Sequence, residues 1–167
     1  KVLSEICEKL KIKLIIIDKV GEDGHNFSSS AVREYLRKGD LSNVRKILGN
    51  NWTIKGNVIR GEQRGREIGF PTANISMEGW IEPLFGVYAV NVKGEQFNKK
   101  GIANIGYRPT FNGQNLLLET NIFGINKNLY NKVINVSFKK FIRVEKKFKN
   151  LDQLKKQIKI DIKQAKK

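Results

Sequence analysis

The stretch 56-GNVIRGEQRGREIGFPTANI-75 decides how this chain is read. It opens with the alternation of a strand, breaks into a loop punctuated by Gly61, Gly65 and Gly69, and leaves through Pro71 into a second extended run. Glycine lets a backbone approach a ligand closely and take up φ > 0, so all three are expected to do so. Arg64 and Arg66 can supply charge to phosphate oxygens. The loop is not a Walker A motif, because no Lys-Ser/Thr pair follows its last glycine. Pro71 biases Phe70 towards an extended conformation. Side chains alternate along an extended segment, which puts Thr72 and Asn74 on one side. A hydroxyl oxygen and an amide carbonyl are hard, neutral donors, and they suit a Mg²⁺ whose other ligands are phosphate oxygens and water. A glycine-rich hairpin whose Thr and Asn satisfy the turn fits the same spacing.

Working outward, residues from Trp52 onwards show strand periodicity. WTIKGNVIR, GVYAVNV, KKGIANI, NLLLETNIF and KVINVSFKKFI read as strands, and 72–76 as a short sixth. Their spacing predicts a closed antiparallel barrel, so the fold is expected to be mainly β. The chain ends on a predicted helix, with Asn150 as N-cap, Gln153 in the capping-box position, and Leu151, Leu154, Ile158, Ile162 and Ala165 as its apolar stripe.

Residues 1–48 read differently. VLSEICEKLK has helical spacing, and IKLIIID is a continuous β-branched run of the kind found in a strand covered on both faces. VGEDGHN is read as a loop that leaves His25, the only histidine, solvated. A helix follows, with Ser29 or Ser30 as N-cap, Val32, Tyr35 and Leu36 facing inward, and a stop at Gly39. Asp40 caps another helix that ends at Gly49. Helix, strand, helix, helix is the end of an α/β unit, and a lone strand makes no sheet, so this part is read as a remnant. The boundary falls at 48/49.

The chain has 167 residues and a formal charge of +16. Opening on Lys1 rather than Met, it is expected to be a piece of a longer protein. The single Cys7, read as a small core residue, excludes an internal disulfide and a cysteine-cluster zinc site, and a reducing cytoplasmic setting fits it. The longest apolar run, 14–17, is too short to span a membrane. Positive charge concentrates in 132–167, with 13 Lys and Arg against 3 Asp and Glu. It is mostly Lys without interleaved aromatics, which argues against a nucleic-acid partner. A non-catalytic barrel binding nucleic acid through this segment is the competing reading, and it requires steep salt dependence.

Two further places can carry chemistry. Glu119 is the lone acid in the apolar strand LLLETNIF, either solvated or aimed at a cavity, where it can serve as general base. In 143-RVEKKF-148, Arg143 and Lys146 can bind an anion and Phe148 can face a flat ring; a charged strand-to-helix corner is the alternative.

Taken in order, the 56–75 stretch, GVYAV, IANIGYRPTF, LETNIFGINKNLYNKVINVSF and FIRVEKKFKNLDQLKKQIKIDIKQA resemble the riboflavin kinase domain over residues 49–165. FSSSAVREYLRKGDLSNVRKILGN resembles the last part of the adenylyltransferase (nucleotidyltransferase) module of bacterial bifunctional riboflavin kinase/FAD synthetases, including its Ser-rich, ATP-phosphate-contacting motif. The resemblance implies a six-stranded Greek-key barrel with a C-terminal helix, and the reaction of ATP with riboflavin to give FMN and ADP. It implies that Thr72 and Asn74 hold Mg²⁺ and the phosphates, and that Gly61, Gly65, Arg66 and Gly69 cover the nucleotide, which Tyr130 also contacts. Glu119 would accept the proton of the ribityl 5′-hydroxyl, and Arg143, Lys146 and Phe148 would bind flavin. The chain departs from the family pattern at Asn121 (usually His or aromatic), Asn131 (usually Gly) and Val144 (usually Pro). It also lacks the His-x-Gly-His motif of the adenylyltransferase module, so it is not expected to make FAD by itself.

Overall fold

Apolar alternation carries the chain from Thr53 to Val144 into antiparallel strands. The structure, a computed structural model, describes residues 2–18, 20–22, 25–110 and 113–167. Its elements are α1 (Val2–Lys9), β1 (Gly21–Glu22), β2 (His25–Asn26), α2 (Ser29–Lys38), α3 (Leu41–Leu48), β3 (Thr53–Asn57), α4 (Arg64–Glu67), β4 (Ala73–Ser76), β5 (Gly86–Gly94), β6 (Phe97–Thr110), β7 (Gly113–Ile122), β8 (Val133–Val144) and α5 (Leu151–Lys166).

Six strands form one sheet in the order β3-β8-β5-β6-β7-β4. All pairings are antiparallel, and the first strand lies beside the last, which is the Greek-key crossover. An isolated bridge between Ile59 and Asn74 brings the two edges together, with the Ile59 N–H donating to the Asn74 carbonyl at 2.8 Å. The sheet is therefore a nearly closed barrel. Closure removes most of the exposed strand edge that an open sheet would offer to aggregation.

Inward-facing positions follow the period of two. Ile54, Ile75, Val90, Val92, Ile105, Leu118, Ile134, Val136 and Phe138 are at most 2 % exposed and fill the interior. Side chains of this kind contribute about 1.5–3 kcal/mol each on full burial. Leu36, Leu41 and Val44 of α2 and α3 belong to the same cluster, beside Trp52, which lies 4.7 Å from Phe138 ring to ring. The Leu84 N–H donates to the Leu36 carbonyl, tying α2 to the loop that enters β5. By packing, α2 and α3 are thus continuous with the barrel.

Four local expectations change. The N-cap of α2 is Ser28, extended at φ −149, whose Oγ accepts from the Ala31 N–H. Residues 12–17 form no strand, and Ile15, Ile16 and Ile17 are exposed; a strand needs a hydrogen-bonded neighbour, and among the described residues none lies beside this run. The segment read as a loop instead carries the short β1–β2 pair, and the side chain of His25 lies outside the described residues. Cys7 is half-buried on α1, a helix with no buried residue.

α5 starts where predicted, with Asn150 Oδ1 accepting from the Gln153 N–H at 3.0 Å. Its stripe is only half-buried, Leu151 is 60 % exposed, and the one fully buried side chain is Asp161. The carboxylate of Asp161 accepts from Arg143 Nε and Nη2 of β8 (2.8–3.1 Å) and from Gln157 Nε2 (2.8 Å). The helix is held to the barrel by a charge-assisted fork as well as by apolar contact.

Candidate active site

The glycine loop folds back onto β4. A Cβ on Gly61 would overlap the Asn74 amide, and one on Gly65 would overlap the Phe70 carbonyl and touch Thr72 Oγ1. Only Gly69 has positive φ, at +86, so the first two glycines serve closeness and only the third serves backbone conformation. Within the loop, Gln63 also adopts positive φ, and α4 makes a single turn. The side chain of Arg64 lies outside the described residues.

Between this loop, β4 and β7 lies a cavity of about 480 Å³, lined in part by Arg66, Thr72, Asn74, Thr120, Ile122 and Tyr130. Thr72 and Asn74 therefore meet at one cavity, as the alternation predicts. Asn74 is 5 % exposed, and its Oδ1 has no hydrogen-bond partner among the described residues; the same holds for Oγ1 of the fully buried Thr120. An unpaired buried acceptor costs about 1–3 kcal/mol, which a bound cation or donor relieves. No cluster of three His, Cys, Asp or Glu able to hold a metal occurs among the described residues. The donor set here is neutral oxygen, the chemistry Mg²⁺ accepts when phosphates supply the charge. Arg60 lies 5.9 Å over the Tyr130 ring at the cavity's rim. Asn121 Nδ2 donates to the Pro71 carbonyl at 2.7 Å, which clamps the exit of the loop to β7.

Glu119 stands directly across from Asn74 in the β4–β7 register, and across from Asn104 on β6. Directly opposed residues have Cβ atoms about 4.5–5.5 Å apart and project to one face. Leu118, Thr120 and Ile122 are buried on the other face. Glu119 itself is neither freely solvated nor in the cavity wall, because Arg108 holds it: Nε and Nη2 donate to Glu119 Oε2 at 2.8 and 2.6 Å. Arg108 Nη1 donates to Glu145 Oε1 (3.1 Å) and to the Tyr107 carbonyl (2.9 Å), while Asn104 Nδ2 donates to the same Glu145 oxygen at 2.9 Å. Burial alone would lower the Arg108 pKa, but the charges and hydrogen bonds of Glu119 and Glu145 outweigh it and hold the pKa above its ordinary value. Sequence reasoning missed Arg108, Asn104 and Glu145. The available signals were a lone Arg in the strand IGYRPT and a lone acid in the basic corner RVEKKF.

That corner divides. Arg143 is committed to Asp161 and the Val144 carbonyl, with its guanidinium 5.8 Å over the Phe148 ring. Lys146 is exposed. Glu145 connects the corner to Glu119 through Arg108.

The site thus joins a nearly closed six-stranded barrel, a glycine loop folded over a buried unpaired acceptor, and a tethered carboxylate on the adjoining strand. The chain belongs to the riboflavin kinase family, whose model, described as Flavokinase: Riboflavin kinase, matches residues 48–167. It is 46 % identical over 147 residues to the bifunctional riboflavin kinase/FMN adenylyltransferase of Haemophilus influenzae, covering 86 % of this chain and 47 % of that one. Against the protein of the same name in Bacillus subtilis it is 40 % identical over 156 residues, covering 90 % and 49 %. The chain thus spans about half the length of these relatives. Among solved structures, the macrolide-efflux protein of Streptococcus pneumoniae superposes with TM-score 0.84 at 30 % identity, covering 98 % of this chain and 54 % of that one. The riboflavin kinase of Trypanosoma brucei has TM-score 0.50 at 21 % identity, covering 70 % and 78 %, a likeness of fold alone. Residues 48–167 thus form a riboflavin kinase family domain. No helix among the described residues is long and apolar enough to cross a membrane.

Proposed function

We propose that the chain moves the γ-phosphoryl group of ATP to the riboflavin 5′-hydroxyl through the Asn74–Glu119 site, with Mg²⁺ as cofactor. The observation that carries this reading is the buried Asn74 Oδ1, without a hydrogen-bond partner among the described residues, on a residue that strand register sets directly across from Glu119. Thr72 and Asn74 would hold Mg²⁺, which when bound neutralises charge between the phosphate oxygens. The loop from Gly61 to Gly69 covers the phosphates, with Arg66 and Tyr130 on the nucleotide side. The ribityl oxygen attacks phosphorus, the bond to the ADP oxygen breaks, and the hydroxyl proton passes to Glu119. Phosphoryl transfer asks mainly for positioning and charge neutralisation, and these residues supply both. Lys146 and Phe148 contact flavin. Arg143, already engaged by Asp161, contributes by holding Phe148 in place.

Asn74→Ala and Thr72→Ala should each raise the Mg²⁺ and ATP concentrations needed for half-maximal rate, with the riboflavin requirement little changed. Rate measurements at varied Mg²⁺ test this, and an unchanged Mg²⁺ dependence in both variants would remove the assignment. The reaction itself is tested by chromatography of flavins after incubation with riboflavin, ATP and Mg²⁺, where FMN is the expected product.

We also propose that residues 1–48 belong to the adenylyltransferase portion of a bifunctional, cytoplasmic protein. Its support is the Ser28–Arg33 motif and the name and length of the relatives. Given FMN and ATP, the chain as it stands should leave FMN unconverted, and FAD formation would refute that part.

A further inference from the structure

We propose that Arg108 is a positioning residue for the transfer step: it grips one oxygen of Glu119 and so presents the other to the attacking hydroxyl. The proposal rests on Glu119 being the proton acceptor. Both donors of the Arg108 fork fall on Oε2, at 2.6 and 2.8 Å, and Oε1 has no partner among the described residues. Two bonds to a single oxygen fix the carboxylate's rotation while leaving its second oxygen available.

The grip is itself braced. Arg108 Nη1 is held by Glu145 Oε1 and the Tyr107 carbonyl, and Glu145 is held in turn by Asn104. A planar guanidinium anchored at two edges has little freedom to rotate, unlike a lysine ammonium on a flexible stem. Asn104, Gly106 and Arg108 share one face of β6 by the period of two. A Cβ at Gly106 would overlap the Glu145 carboxylate, so the missing side chain is what admits Glu145 to the brace. The side chains of Arg108 and Glu119 are 25 % and 28 % exposed, so water reaches the site without dissolving the pair. A surface ion pair kept for stability alone contributes only about 0–1 kcal/mol, and it does not need one carboxylate oxygen left unoccupied.

The test is a double-mutant cycle on the whole chain. Arg108→Met should lower kcat roughly 10–100-fold, the scale expected when a reacting group is displaced by about 1 Å, with both substrate KM values held within about threefold. Arg108→Lys should recover part of that loss. In the Glu119→Gln background, Arg108→Met should change kcat by less than about twofold, because a residue acting through Glu119 has nothing left to position. An undiminished further loss in that background would overturn the proposal, since Arg108 would then act on substrate or on the fold directly. Parental kcat in Arg108→Met would overturn it as well. Arg108→Gln, run through the same cycle, decides the question if the methionine variant fails to fold. Near-parental turnover of Glu119→Gln alone would instead remove the underlying role of Glu119, an outcome the cycle separates from the others.

Discussion

Glu119→Gln is expected to lower kcat by about 10²–10⁴-fold, the usual contribution of a general base, while riboflavin affinity changes little. The substitution keeps volume and lets the amide oxygen still accept from Arg108, so the barrel and its neighbours remain as they are. What is lost is the charge and, under the proposed mechanism, the acceptor of the hydroxyl proton. Direct binding of riboflavin followed by fluorescence, together with kcat from product formation, separates the two effects. Turnover within about tenfold of the parent would mean that Glu119 is not the base.

Asp161→Ala should be the most destabilising single change in the barrel–helix contact. Asp161 is 1 % exposed and satisfies three hydrogen bonds from Arg143 and one from Gln157. Removing it leaves Arg143, whose side chain is 15 % exposed, with no carboxylate partner among the described residues. Breaking a buried pair from one side costs about 3–5 kcal/mol. For a chain of this size each kcal/mol shifts Tm by about 2–4 °C, so a fall of roughly 6–20 °C is expected by circular dichroism. Replacing both partners by apolar residues, as in Arg143→Met with Asp161→Leu, should recover most of it, because no stranded charge remains. A fall of less than about 2 °C in Asp161→Ala would show that the pair does not hold α5.

The barrel was legible because its signal is local. Period-two alternation marks β5, β6, β7 and β8 one strand at a time, and Pro71 announces the extended entry to β4. The shared cavity of Thr72 and Asn74 was legible for the same reason, since the alternation after Pro71 puts both on one side, and Glu119 stood out as the lone acid of its strand. The rest depends on partners distant in sequence. Arg108 meets Glu119 eleven residues away and Glu145 thirty-seven away, and the pairing of β6 with β7, and of β5 with β6 and β8, brings them together. Asp161 sits among lysines and reads as a surface residue until Arg143 is placed beneath it. Thr120 reads as an ordinary strand former, and its buried hydroxyl becomes visible only with the cavity. The β-branched run at 12–17 failed in the opposite way, since its local signal is strong and the neighbouring strands it calls for are not among the described residues.

The most direct measurement follows the phosphoryl group itself. The folded chain is incubated with Mg²⁺, riboflavin and ATP labelled at the γ-phosphate, and the products are separated. Label in FMN, matched one for one by ADP, is the expected result. Riboflavin bound by the folded chain, with the label remaining in ATP or released as free phosphate, would contradict transfer to the 5′-hydroxyl.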